Sequence, residues 1–130
     1  IDDELPEAVD TKVTEMLGAT LLWTNPSPKS AFESQTLQID TSQYARIKIL
    51  FVCSNAGGTG KYYIEECIDK GLTYMTDIGV FNYSGEISTF SREFTLNENN
   101  IYFNGARQNN SAGSSANFYC VPYKIYGYKY

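Results

Sequence analysis

LLWTNPSPKSAFESQTLQIDTSQYARIKILF, residues Leu21–Phe51, contains the pattern that decides the fold. Polar and apolar side chains alternate in its second half, at Thr36–Asp40 and again at Arg46–Phe51. Such alternation buries one face of a strand and exposes the other to water. Before it, Asn25–Pro28 contains two prolines, which lack a backbone donor and favour a turn. The stretch therefore predicts half-buried strands that are joined by short turns.

Single residues within this stretch extend the prediction. Phe32 lies alone among polar neighbours, which is typical of a side chain that folds back over a turn. Asp40–Gln43 is polar and is expected to be the turn between the two alternating segments. We expect Leu37, Ile47 and Ile49 to point into the core.

The rest of the chain continues in short apolar runs that end at Gly, Asn or Pro. Gly71 is expected at a positive-φ position in a tight turn, and Pro122 at an edge or a bulge. About eight closely spaced strands predict an all-β fold, specifically a jelly-roll-like antiparallel β-sandwich with a short N-terminal helix. The further predicted strands are Tyr62–Ile68, Leu72–Tyr83, Ile87–Leu96, a strand that starts at Ile101 and ends near Gly105–Ala106, and Asn117–Tyr130.

The first 18 residues differ from the rest, since they are acidic and carry an apolar stripe at helical spacing. A helix of about three to four turns is marginal alone, so this stripe must be buried on something. It packs either on the β-domain or on identical stripes of neighbouring chains. We predict the second arrangement, with residues 1–18 as a helical neck and 19–130 as a β-sandwich head. The stripe consists of Leu5, Val9, Val13 and Met16.

Composition excludes several classes of function. With 130 residues, the chain is long enough for one domain with its own core. A net charge of −5 argues against binding to nucleic acid, and no basic face is expected for a membrane surface. No run approaches the ~20 apolar residues of a membrane helix, so membrane insertion is not expected.

The three cysteines, Cys53, Cys67 and Cys120, lie in apolar contexts. Their odd number favours free buried thiols and folding in a reducing cytoplasm. A single bridge, Cys53–Cys67 or Cys67–Cys120, remains an alternative.

Residues that carry catalysis are scarce. The chain has no histidine, which removes Ser-His-Asp triads, Cys-His pairs and most zinc sites. The adjacent Glu65 and Glu66 would point to opposite faces of a strand and cannot act as a pair. The glycine-rich Ser54–Gly60 departs from a phosphate-binding loop at both ends and predicts a hairpin loop. We therefore expect no catalytic activity, no metal and no cofactor.

Binding residues are better supported than catalytic ones. Arg107–Ala116 is polar and without periodicity, which predicts a solvent-exposed loop. The favoured interpretation is a plain solvated loop, and the alternative is a binding loop that offers amides and a guanidinium to a ligand. Trp23 could stack on a sugar ring, although its apolar neighbours favour a place in the core or at a subunit interface. Tyr126, Tyr128 and Tyr130 form one aromatic row, expected at a seam between sheets or subunits. The candidate ligand-binding residues are Arg107, Gln108, Asn109, Asn110, Tyr83 and Trp23.

The motifs at both ends of the globular part carry a resemblance to a known family. LWTNPSP (Leu22–Pro28), then Phe32, QTLQID (Gln35–Asp40) and SQY resemble a distal domain of fibre or baseplate proteins in bacteriophages of Gram-positive hosts. Val121–Lys129 is similar to that family's C-terminal strand. The middle of the chain has no such likeness.

The resemblance implies a function and a location. It implies a non-catalytic receptor-binding module of a phage tail, assembled in the host cytoplasm and carried on the virion. Its ligand would be host cell-wall polysaccharide or teichoic acid, and its assembly a homotrimer joined to other phage tail proteins. The alternatives are a structural baseplate or fibre component that binds only other virion proteins, and a polysaccharide-degrading enzyme.

Overall fold

The computed structural model describes residues 18–53, 61–81 and 85–130, which form two antiparallel β-sheets. The strands are β1 (Ala19–Thr24), β2 (Gln35–Leu37), β3 (Arg46–Cys53), β4 (Lys61–Cys67), β5 (Leu72–Phe81), β6 (Ile87–Leu96), β7 (Ile101–Phe103), β8 (Arg107–Gln108), β9 (Ser111–Ala112) and β10 (Val121–Tyr128). A short 3₁₀ helix, Ser114–Phe118, precedes β10.

Strand order divides the chain between the sheets. Sheet A has the order β1-β10-β3-β4. Sheet B has the order β2-β7-β6-β8-β9, and β5 pairs with β6 along its whole length. The predicted all-β, antiparallel class is confirmed. The jelly-roll connectivity stays a prediction, and so does the N-terminal helix, because residues 1–17 lie outside the described part of the chain.

The inward faces of both sheets share one core, as the alternation predicts. Ile47, Ile49 and Phe51 of β3 are completely buried and belong to the same cluster as Phe94 and Phe103 of sheet B. The predicted burial of Ile47 and Ile49 is therefore confirmed. Leu37 is half-buried and packs against this cluster. Apolar side chains from two sheets meeting in one cluster define a sandwich.

Phe32 closes one end of the core, because the chain folds back after its proline turn. Its backbone N–H donates to the Asn117 carbonyl at 2.9 Å. Its ring packs edge-on against Trp23 at 6.2 Å and against Phe103 at 5.5 Å between centroids. Phe32 is therefore buried in the core, and the expectation that it folds back over the turn stays a prediction.

Three predicted boundaries are corrected by the structure. The strand expected at Thr36–Asp40 ends at Leu37, and the last strand begins at Val121, not at Asn117. The strand that starts at Ile101 ends at Phe103, not near Gly105–Ala106. Pro122 lies inside sheet A, with strands on both sides of β10, so it marks no edge. The pairing of β10 with β3 shifts register between Pro122 and Lys124, which makes this the predicted bulge. Gly71 has the expected positive φ, at 82°.

All three cysteines are free thiols. Cys67 and Cys120 are buried, as predicted, whereas Cys53 is only half-buried. Burial raises the pKa of Cys67 to about 12 and that of Cys120 to about 11, because a thiolate loses its hydration in the core.

These buried thiols predict a loss of stability at alkaline pH. In the unfolded chain they ionise near pH 9, but in the folded protein they stay neutral up to about pH 11–12. Their contribution to the free energy of unfolding is therefore complete below pH 9 and is lost progressively as the pH rises from 9 to the folded values. We expect the free energy of unfolding to fall by about 2 kcal/mol between pH 7 and pH 10. Urea denaturation at each pH measures it. A Cys67→Ala variant should show a flatter pH dependence, and an equal slope in both proteins would contradict the assignment.

Candidate functional site

The segment Arg107–Ala116 is exposed at most of its described positions, as predicted, but it contains the strands β8 and β9 and the start of the 3₁₀ helix, so the prediction of an irregular loop is wrong. Gln108 pairs with Ser111, and the two residues between them form a two-residue hairpin turn. Asn109 and Asn110 have φ of 49° and 65°. Positive φ at both turn residues is the geometry of a type I′ hairpin, and asparagine tolerates it better than most residues. The sequence Asn-Asn was the signal for this turn.

The hairpin β8–β9 is held against β6 of sheet B by strand pairing and hydrogen bonds. Arg107 pairs with Ser91 of β6. The Asn109 side-chain Oδ1 accepts a hydrogen bond from the Thr89 N–H at 2.9 Å, and the Asn109 N–H donates to the Thr89 carbonyl at 2.7 Å. A binding surface on this hairpin would therefore be preorganised, which lowers the entropy lost on binding.

An open cavity of about 580 Å³ lies beside this hairpin. It is bounded by β5, β6, the segment 104–106 and the hairpin itself. Met75 and Ala112 add apolar surface. The polar side chains that line it are Ser91, Glu93, Asn104, Arg107, Asn110 and Asn117.

The cavity combines donors and acceptors in a way that suits a polyhydroxylated ligand. Arg107 and the asparagine amides can donate to hydroxyl or phosphate oxygens. Glu93 and the amide oxygens can accept hydrogen bonds from sugar hydroxyls. One of these groups is already engaged, because Asn117 Oδ1 accepts a hydrogen bond from the Ala106 N–H at 2.8 Å. The arrangement can bind, orient and select a polar ligand.

A buried arginine, Arg92, supports the cavity from below. It is 1% exposed, and its Nε donates to the Cys120 carbonyl at 2.8 Å. Its Nη1 donates to the Asn104 carbonyl at 2.6 Å, and its Nη2 to the Tyr119 carbonyl at 3.2 Å. The guanidinium also lies 5.2 Å from the centre of the Phe32 ring. Through these hydrogen bonds, Arg92 connects residues 104 and 119–120 to the core. These residues belong to the two chain segments that carry the cavity wall.

Charge on Arg92 is retained at neutral pH. Burial lowers the pKa of its guanidinium to about 10, since the cation loses hydration in the core. Sequence reasoning missed this residue. A signal was present, because Arg92 shares the inward parity of Phe90 and Phe94, which are both buried.

The structure brings together only part of the predicted binding set. Arg107 and Asn110 both line the cavity, whereas Asn109 holds the turn. Gln108 is half-buried, with its amide nitrogen 3.5 Å from the Ser88 hydroxyl. Trp23 lies in sheet A, half-buried against Phe32. Tyr83 lies outside the described residues.

Acidic side chains in the described residues form no metal cluster. Groups of three or more Asp, Glu or Cys that could hold an ion do not occur there. Glu65 and Glu66 face opposite ways, as predicted: Glu65 lies 3.2 Å from the Thr76 hydroxyl, and Glu66 pairs with Arg46 at 3.0 Å. Within the same described part, no helix is long and apolar enough to cross a membrane.

Comparison of the chain with protein-family models, with curated proteins and with solved structures finds no match. The resemblance to phage tail proteins therefore rests on its motifs alone, at Leu22–Pro28 and Val121–Lys129.

Proposed function

We propose that this chain is a non-catalytic adhesion module of a phage tail that binds a saccharide of the host cell surface in the cavity beside the β8–β9 hairpin. The observation that carries the proposal is the cavity itself. It presents a guanidinium, a carboxylate, a hydroxyl and three amides on a hairpin and strands that are fixed to the core. Loops and turns on a rigid β-scaffold are where recognition commonly occurs.

The proposed ligand class follows from two kinds of polar group in the cavity, a guanidinium that pairs with anions and an amide and a carboxylate that hydrogen-bond hydroxyls. Arg107 would pair with a phosphate of teichoic acid, or with a carboxylate of an acidic wall polysaccharide. Asn110 and Glu93 would hydrogen-bond the neighbouring hydroxyls. Weak binding at one site, with Kd on the order of millimolar, suffices where linked copies raise the avidity by roughly 10²–10⁴.

The resemblance supports the remaining parts of the proposal. The module would be a homotrimer with a jelly-roll head, residues 19–130, and a short N-terminal helix. It would be assembled in the bacterial cytoplasm and carried on the virion with other tail proteins. Host polysaccharide or teichoic acid would be its external partner.

Two substitutions in the cavity test the proposal. Arg107→Ala should weaken binding of purified host teichoic acid or wall polysaccharide by about tenfold, because a hydrogen bond to a charged group is worth about 1.5–3 kcal/mol. Asn110→Gly should weaken it by about threefold, the loss of one neutral hydrogen bond. Glycine adopts the positive φ of this position, so the hairpin is kept. Titration calorimetry with each purified polymer measures both effects.

Lys29→Ala is the matched control, since it removes an exposed positive charge outside the cavity. It should bind like the unmodified protein. Equal binding by all three variants would place the ligand elsewhere. Complete absence of binding to host polymers, with a stable complex to another virion protein, would favour the structural role. Release of polymer fragments would establish an enzyme instead.

A further inference from the structure

Sheet A has a second face, turned away from the core, that is apolar and exposed. Cross-strand pairing places Leu21 beside Tyr126, and Leu50 beside Ile64. Ile64 is 62% exposed and Leu21 is 48% exposed. The outer face of sheet A is defined here by Leu21, Lys48, Leu50, Tyr62, Ile64, Lys124, Tyr126 and Tyr128.

A groove runs along this face. Its volume is about 260 Å³, and it lies between β10, β3 and β4. Leu50 and Ile64 form its apolar part, and the Tyr128 ring lies beneath the Lys48 ammonium, 4.9 Å from its centre. Exposed apolar side chains that adjoin one another mark a surface that another element covers.

The charges around the outer face of sheet A are mainly positive. Arg46 and Lys48 share a single carboxylate, that of Glu66, at 3.0 Å and 3.7 Å. Lys124 lies in the same cross-strand row as Leu50, with its ammonium over the Tyr123 ring. This face therefore has more cations than anions, and an acidic partner would complement it.

The acidic partner is present in the same chain. Residues 1–17 contain six Asp and Glu residues and one lysine, whereas residues 18–130 contain nine acidic and nine basic residues. The whole net charge of −5 thus resides in the N-terminal segment. That segment also carries the stripe of Leu5, Val9, Val13 and Met16.

The segment joins sheet A at the start of β1, which is an edge strand, and so at one corner of the outer face. Gly18 has φ of 83°, so the chain turns immediately before β1. Ala19, the first residue of β1, pairs with Tyr128. A helix of 17 residues would be about 25 Å long, and four strands of up to eight residues form a surface of roughly 19 by 26 Å. The lengths match.

We propose that residues 1–17 dock as an amphipathic segment across the outer face of sheet A of their own chain. The apolar stripe covers Leu50, Ile64 and Leu21, and the acidic side chains lie beside Arg46, Lys48 and Lys124. The sequence leaves two arrangements of this stripe open, packing on the β-domain and packing on neighbouring chains. The proposal selects the first, in place of the helical neck. It is independent of the ligand cavity, which belongs to sheet B.

Hydrogen exchange of the full chain, followed by mass spectrometry of its peptides, tests the docking. In the unmodified protein at low micromolar concentration, amides of residues 1–17 should exchange about tenfold more slowly than in a free peptide of that sequence, which corresponds to a docked population of about 90%. Ile64→Asp and Lys124→Glu should each return this segment to near the free-peptide rate. Exchange in β6 and β7 should stay unchanged, which shows that the variants are folded.

Ile87→Asp is the matched control, because Ile87 is 58% exposed and belongs to sheet B. It should leave the protection of the segment intact. Free-peptide exchange in the unmodified protein would overturn the docking. Protection that grows with protein concentration and ignores Ile64→Asp would overturn it too, in favour of the helical neck.

Discussion

Replacing Arg92 with methionine should lower the free energy of unfolding by about 3–5 kcal/mol, measured by urea denaturation at pH 7. Methionine fills much of the same volume but donates no hydrogen bond. The carbonyls of Cys120, Asn104 and Tyr119 would then lose their donor within or at the edge of the core. Each buried acceptor left without a partner costs about 1–3 kcal/mol, and the substitution removes all three hydrogen bonds together.

The Arg92→Lys variant separates the contribution of the positive charge to stability from that of the hydrogen bonds. Lysine keeps a cation and can donate to some of the carbonyls, but it lacks the planar fork that reaches segments 104–106 and 117–120 together. We expect a loss of stability smaller than that of Arg92→Met. If the methionine variant were as stable as the unmodified protein, the carbonyls would not depend on Arg92, and the cavity wall would need another explanation.

Arg92 also shows where prediction from sequence succeeds and where it fails. In Ile87–Leu96, Phe90, Phe94 and Leu96 share one parity, and all three are buried. The same parity includes Arg92, but alternation reports only which face a side chain occupies. The acceptors that make a buried guanidinium tolerable come from residues 104 and 117–120, and no local pattern indicates that they meet it.

The sequence also predicts only part of the candidate site, because local patterns do not show which residues strand pairing brings together. Polar composition identified Arg107 and Asn110, but it hid the hairpin, because a turn with positive φ at two asparagines has no periodicity to detect. Glu93 and Ser91 were missed, since a strand pattern classes them simply as the wet face. They become part of a cavity only because β8 pairs beside them on β6.

Gly127→Ala should lower the free energy of unfolding by about 2–4 kcal/mol, because it forces a methyl group into an occupied position. Gly127 is buried in β10, and a Cβ there would lie 2.5 Å from Cγ and 2.6 Å from Cδ1 of Tyr44. These atoms are close to the Tyr44 backbone, so rotating the end of the side chain does not relieve the clash. Hydrogen bonds hold the backbone, from the Tyr44 N–H to the Thr41 carbonyl and from the Ala45 N–H to the Tyr128 carbonyl. Urea denaturation measures the effect.

A double-mutant cycle with Tyr44→Ala tests whether the loss of stability comes from the clash between the added methyl group at residue 127 and the Tyr44 ring. In the Tyr44→Ala background, Gly127→Ala should be almost neutral, which gives a coupling energy of about 2 kcal/mol or more. Gly79→Ala in β5 is the matched control, since its Cβ would meet only the Ile87 Cγ2 at 3.3 Å, at the end of an exposed side chain. Additive effects in the cycle would mean that glycine is needed for the backbone of β10. Coupling would mean that Gly127 is needed because the Tyr44 ring takes the place of its missing side chain and thereby fixes the start of β3 against the end of β10.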